Sequence, residues 1–454
     1  MLSLAADIIS MISHSDMTAI KTILLFRRPS VVHLFPRLAG LASFSTRNPR
    51  DMQSMQVQEQ IKLNLEAGHM TELVRDFLDP KEFHRAIKDI GIQFFCGVPD
   101  SLLKDFCAYV AHNEDETCHI IAANEGNAIG LATGYHLATG NISLVYLQNS
   151  GLGNIVNPLV SLAAPEVYSV PMLLLIGWRG EPGKRDEPQH MLQGQVTSRL
   201  LETLNIPYSP LPDYIEGARK TLSTAKQYMD SHSSPYALLV KRQTFLPYKI
   251  PKRNTEFQMS REMALKIVAD SLQDRDIVVS TTGMLSRELF EYRVTREHGH
   301  ERDFLTVGSM GHASTIALGI ALNKPKRQVF CLDGDGSVIM HMGALSIIGQ
   351  MSPRNLKHVV FNNGAHDSVG GQQTAACNSN KFRLSEVAVG NGYTQAQVVE
   401  TMDELSNAIK WLQETIGPAM LEVRVHPGSR KNLGRPTRTP IQNKADFMNF
   451  LSYE

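Results

Sequence analysis

Gly334-Asp335-Gly336-Ser337, answered after a helical stretch by Asn362-Asn363-Gly364, decides how this chain folds. The first piece follows the apolar, β-rich run 328–332 and the second follows 357–361. Each reads as a turn at the end of a buried strand, so Asp335 and Asn363 emerge together at the carboxyl ends of parallel strands. One hard divalent cation can bridge two such oxygen donors. Mg²⁺ in particular takes near-octahedral oxygen ligation and is usually held by one or two carboxylates plus phosphates. Asp335, the Asn363 amide and a backbone carbonyl, that of Ala365, supply such a set. Gly336 and Ser337 would then open a helix whose amides face a diphosphate. A lone Gly-Asp-Gly is a common turn; the combination with Asn-Asn-Gly is far more specific.

Outward from this motif the chain alternates apolar β-type runs with helical patterns, the signature of α/β domains with helices on both faces of parallel sheets. A first series uses 92–96, 120–123, 142–147, 172–176 and 237–240. The polar, proline-punctuated stretch 246–260 breaks it. A second series opens with a helix over 261–272 and uses 277–280, 329–332, 359–361 and 419–423. The reading is two doubly wound parallel-sheet domains, 70–245 and 261–435, joined by a linker at 246–260, with a tail at 436–454 and no third domain between them.

Composition narrows the partners. The 454 residues carry 45 basic and 45 acidic side chains, which offers nucleic acid no field of one sign. No run of 18 uninterrupted apolar residues predicts a membrane span. The cysteines Cys96, Cys107, Cys118, Cys331 and Cys377 lack zinc-site spacing and sit mostly in apolar surroundings, which argues for reduced core thiols. Residues 17–50 hold Lys21, Arg27, Arg28, Arg37, Arg47 and Arg50 with no acid, mixed with serines and apolar residues. Residues 1–50 therefore read as a mitochondrial presequence, with a basic tail of a cytoplasmic protein as the alternative.

The metal motif resembles the thiamine diphosphate fingerprint, and the resemblance runs over nearly all of the chain beyond about residue 70. Gly97-Val98-Pro99-Asp100-Ser101-Leu102-Leu103, Asn149-Ser150-Gly151-Leu152-Gly153-Asn154, Gly177-Trp178-Arg179-Gly180, Asp186-Glu187-Pro188-Gln189-His190 and Asn363-Gly364-Ala365-His366-Asp367-Ser368 resemble the phosphonopyruvate decarboxylase family. Sulfopyruvate decarboxylase is the nearest competitor. The resemblance implies a thiamine diphosphate and Mg²⁺ dependent 2-oxo acid decarboxylase that turns 3-phosphonopyruvate into phosphonoacetaldehyde and CO₂, a step toward 2-aminoethylphosphonate. A non-catalytic cofactor-binding subunit is the alternative from another class. It also implies that the first domain binds the aminopyrimidine ring and the second the diphosphate, in a homo-oligomer with sites at subunit interfaces.

Residue roles follow from the same resemblance. Glu125, after an apolar strand and at the start of a Gly/Ala-rich helix, corresponds to the catalytic glutamate on the pyrimidine; taken alone it would serve equally as an acid at a helix N-terminus. The Gly308 carbonyl and the Met310 side chain match the segment that holds the cofactor bent. Thr282-Gly283-Met284 matches a strand end against the cofactor, and Gly336, Ser337 and Ser368 complete that set. Asp100 and His366 are the candidate proton donors. For the anionic end of the substrate the loop offers Arg179, Lys184, Arg185 and His190, of which Arg179 and His190 are the first choices, with Asn154 and Ser150 as polar contacts. The chain departs from pyruvate decarboxylase where Val369 replaces its glutamate and Gln148-Asn149 its paired histidines, so that enzyme's proton relay does not transfer.

Overall fold

The computed structural model describes residues 77–249 and 255–452. The presequence reading at 1–50, residues 70–76 of the first domain, 250–254 of the linker and the last two residues of the tail lie outside them. Two six-stranded sheets, every strand pair parallel, organise the described residues. The first contains β1 (Phe95–Gly97), β2 (His119–Ile121), β3 (Ser143–Gln148), β4 (Met172–Gly177), β5 (Tyr208–Pro210) and β6 (Tyr236–Val240), in the order β2-β1-β3-β4-β6-β5. The second contains β7 (Ile277–Ser280), β8 (Asp303–Leu305), β9 (Val329–Gly334), β10 (Leu356–Asn362), β11 (Gln395–Val399) and β12 (Ala419–Arg424), in the order β11-β12-β10-β9-β7-β8. The matching α/β architecture in both halves is the one the alternating pattern predicts.

The central strands β4 and β6 are apolar throughout, and β9 and β10 mostly so, because helices cover both sheet faces. The period of two then sorts neighbours into separate cores: Leu173 and Leu175 pack on one face of the first sheet, Leu174 and Ile176 on the other. In the second sheet Val278 and its neighbours Ile277 and Val279 divide in the same way. Side chains also set helix starts. Asn124 caps Glu125–Thr139 by accepting from the Asn127 amide, and Ser260 caps Arg261–Ser271 by accepting from Met263.

Strand order reverses in the second sheet between β7 and β9 and in the first between β1 and β3. In doubly wound sheets, ligands bind in the crevice at such points. The helix Pro440–Ser452, inside the stretch read as a tail, closes one edge: the Asn443 side chain accepts from Leu305 N and donates to Asp303 O. Among the described residues no helix is long and apolar enough to cross a membrane.

Candidate active site

The crevice between β7 and β9 is tied together by one hydroxyl. Ser337 Oγ lies 2.9 Å from Thr281 Oγ1 and accepts from Gly311 N at 3.1 Å. It thereby joins the turn after β7, with Thr282, Gly283 and Met284, to the loop carrying Gly308 and Met310 and to the helix Asp335–Met340. A Cβ on Gly336 would fall 3.1 Å from the His366 ring and 3.5 Å from Met310 Cε, so these three residues line one small space. Burial holds His366 neutral, its pKa lowered to about 4. Ser368, by contrast, is exposed on the 3-10 turn Asp367–Val369.

Asp335 begins its six-residue helix rather than preceding it, and it is almost fully buried. Burial pushes its carboxyl up to about 6, against the Thr374 hydroxyl and the backbone amides of Asn363, Asp335 and Gly336, which favour the charged form. None of these donors is positive. The register Phe361↔Gly334 brings Asn363 alongside, and the Asn363 Oδ1 accepts from Ala365 N at 3.0 Å. A buried carboxylate with uncharged partners, an amide oxygen and an adjacent carbonyl fit a hard divalent cation. A cleft of about 1600 Å³ opens beside this loop, lined by Gly364, Ala365, Thr374 and, from the first sheet's half, Glu114 and His119.

Glu125 is likewise buried, where the helix Glu125–Thr139 leaves the first sheet. Asn154 Nδ2 donates to its Oε2 at 2.6 Å, and a Cβ on Gly151 would come within 2.4 Å of Oε1, which is why the turn after β3 carries glycine there. Asn154, chosen from the sequence as a substrate contact, thus spends its amide on the glutamate. One bridge between the halves is the neighbouring Asn124, whose Nδ2 donates to Met340 O at 3.1 Å.

Asp100 sits at the β1/β3 switch point, with no exposed surface. Gln148 Nε2 donates to its Oδ1 and Leu102 N to its Oδ2. Sequence reasoning treated Gln148 only as a departure from another enzyme; the signal that could have found it is its position at the end of an apolar strand. The Arg179 guanidinium is engaged within its own loop. Asp186 takes Arg179 Nε at 2.8 Å and Nη2 at 2.5 Å, while Nη1 donates to Ser101 Oγ at 2.8 Å. Partial desolvation makes a bidentate partner worthwhile, so the guanidinium is not a free anion receptor. The Arg179 and glycine-amide contacts hold the Asp186 carboxyl at about 2 against the opposing effect of burial. His190 is buried with an unpartnered Nδ1; burial first and then Arg179 lower its pKa. Lys184 and Arg185 are exposed.

The loop from Arg179 to His190 is pinned by glycine. Gly180 has φ +67°, and a Cβ there would lie 1.9 Å from His190 O. Gly180→Ala should therefore destabilise the chain by about 2 kcal/mol or more, since both backbone strain and a backbone clash oppose it. Chemical denaturation measures that loss; an unchanged midpoint would contradict the strained conformation.

Comparison with known proteins bears on this site. Residues 81–200 match the N-terminal TPP binding domain of the thiamine pyrophosphate enzymes, and residues 281–423 match their C-terminal TPP binding domain. The chain is 34% identical to phosphonopyruvate decarboxylase of Streptomyces viridochromogenes over 380 residues, 80% of this chain and 92% of that one. It is 33% identical to phosphonopyruvate decarboxylase of Streptomyces hygroscopicus over 80% of this chain and 91% of the relative. With sulfopyruvate decarboxylase of Methanosarcina acetivorans it shares 30% identity over 64% of this chain and 77% of the relative.

Proposed function

The chain belongs to the phosphonopyruvate decarboxylase family of thiamine pyrophosphate enzymes, and from that membership we propose that it decarboxylates 3-phosphonopyruvate to phosphonoacetaldehyde and CO₂. The observation that carries the reading to the site is the meeting of Asp335, Asn363 and Ala365 at the ends of β9 and β10, beside Met310, Gly336 and His366. Asp335, the Asn363 amide oxygen and the Ala365 carbonyl would hold Mg²⁺, with Gly336 and Ser337 at the diphosphate. Bound thiamine diphosphate supplies the electron sink for the departing carboxylate.

The chain's own residues do the rest. Glu125, fixed by Asn154, would hold and move a proton at the pyrimidine ring, where a desolvated, preoriented carboxylate has most effect. Met310 would fill the space between the cofactor rings, and the Gly308 carbonyl would accept from the cofactor's amino group. Asp100 and His366 would manage protons on the substrate side; His366, neutral at physiological pH, would do so as a base or through its own N–H. A phosphonate dianion competes with Asp186 for Arg179, so substrate binding and the order of the loop at 179–190 are coupled. Family membership supports a homo-oligomer, which mass in solution tests. The basic segment 17–50 supports delivery to the mitochondrial matrix, and import of a reporter fused to residues 1–50 tests it.

The deciding experiment measures CO₂ and aldehyde release by the purified chain, with Mg²⁺ and thiamine diphosphate, from 3-phosphonopyruvate and sulfopyruvate side by side. Faster turnover of the phosphonate is expected. A preference for the sulfonate overturns the substrate assignment alone. Silence with both shifts weight to carboligation, visible as an acyloin product, or to a non-catalytic subunit.

A further inference from the structure

Asn363 can offer a cation either its oxygen or its NH₂ group, and only the first binds. Two contacts select the orientation: Nδ2 donates to Asp367 Oδ2 at 2.7 Å, and Oδ1 accepts from Ala365 N. Turned over, the amide would set its oxygen against a carboxylate and its NH₂ against an N–H. As it stands, the second lone pair of Oδ1 is left for the metal. We propose that Asp367 is a positioning residue for the metal site, holding the Asn363 amide so that its oxygen faces the cation. This deepens the decarboxylase reading and rests on it.

Asp367 is built to hold that position. Its Oδ2 gathers three donors, Asn363 Nδ2, Arg261 Nη1 at 3.1 Å and Gly428 N at 3.0 Å. Arg261 is in turn clamped by Glu288 through two bonds of 2.9 Å, and both residues are buried. Glu288 lies on the helix Met284–Thr295, which starts at the cofactor turn after β7, and Arg261 opens the helix that follows the linker. The orientation of one amide is thus referred to two helices and to the segment leaving β12. Partners behind metal ligands commonly matter this much, because a ligand that must be reoriented on binding costs affinity.

Isothermal titration of Mg²⁺, with thiamine diphosphate present, separates orientation from mere structure. Asp367→Ala removes the acceptor and should raise the Mg²⁺ Kd roughly 10- to 100-fold, a loss overcome by excess Mg²⁺. Asp367→Asn keeps an oxygen where the three donors converge and should stay near wild type. An alanine variant with wild-type Mg²⁺ affinity overturns the proposal; so does an equal loss in both variants, which would make the charge rather than the amide orientation responsible. Asp367→Ser, too short to reach Asn363, replaces the alanine variant if that chain fails to fold. Failure of the wild-type protein to bind Mg²⁺ with the cofactor would instead sink the parent reading.

Discussion

Glu125→Gln is expected to leave the fold and thiamine diphosphate binding intact and to lower kcat on 3-phosphonopyruvate by roughly 10²- to 10⁴-fold, the usual contribution of a positioned acid–base group. Glutamine has the same shape, fits beneath Gly151 and still presents an oxygen to Asn154 Nδ2, so the packing around residue 125 need not change. What it cannot do is carry a negative charge or exchange a proton. The effect therefore falls on turnover, and cofactor affinity measured by titration should move little. A structural role for Glu125 at its helix N-terminus predicts the reverse: a modest loss of stability with turnover intact. A fully active Glu125→Gln enzyme sinks the catalytic assignment. Asn154→Ala provides an intermediate case, since it frees the carboxylate without removing it.

The features legible in the sequence are those that depend on local pattern. Apolar runs announce β4, β6, β7, β9 and β10 because both sheet faces are covered, and the residue types at 334–337 and 362–364 announce what stands at two of their ends. Three edge strands leave no such trace: β5 is three residues ending in proline, β8 is three residues, and β11 exposes Gln395 and Gln397. Side-chain pairing was hidden for a different reason. Arg179 reads as a free cation until the loop closes on Asp186, and Asp367 meets Arg261 only because the chain returns after 106 residues. Neither periodicity nor motif spacing encodes such contacts. The same holds within one irregular loop, where His366 is held against Gly336 while Ser368, two positions on, is exposed.

Asp335→Asn should have two opposite effects. It should abolish Mg²⁺-dependent binding of thiamine diphosphate, and with it turnover, because the only proposed carboxylate ligand becomes a neutral amide. It should also stabilise the metal-free protein at neutral pH. The carboxyl stands at about 6 in the folded chain, above its ordinary value of 3.8, so between those values the folded state binds more protons than the unfolded state. Stability then falls as pH rises through this window, by up to about 3 kcal/mol for a shift of this size. Asparagine is uncharged at every pH and removes that slope. Thermal unfolding of the metal-free wild type and variant at pH 5 and pH 7.5 tests the argument: the variant should gain most at the higher pH, and Mg²⁺ with cofactor should protect the wild type alone. An Asp335→Asn chain that is less stable at pH 7.5, yet still binds the cofactor, would make Asp335 a structural acid and remove the metal site from the end of β9. A buried charge that costs stability in the metal-free protein and is needed for loading would be retained for the cation it is proposed to bind.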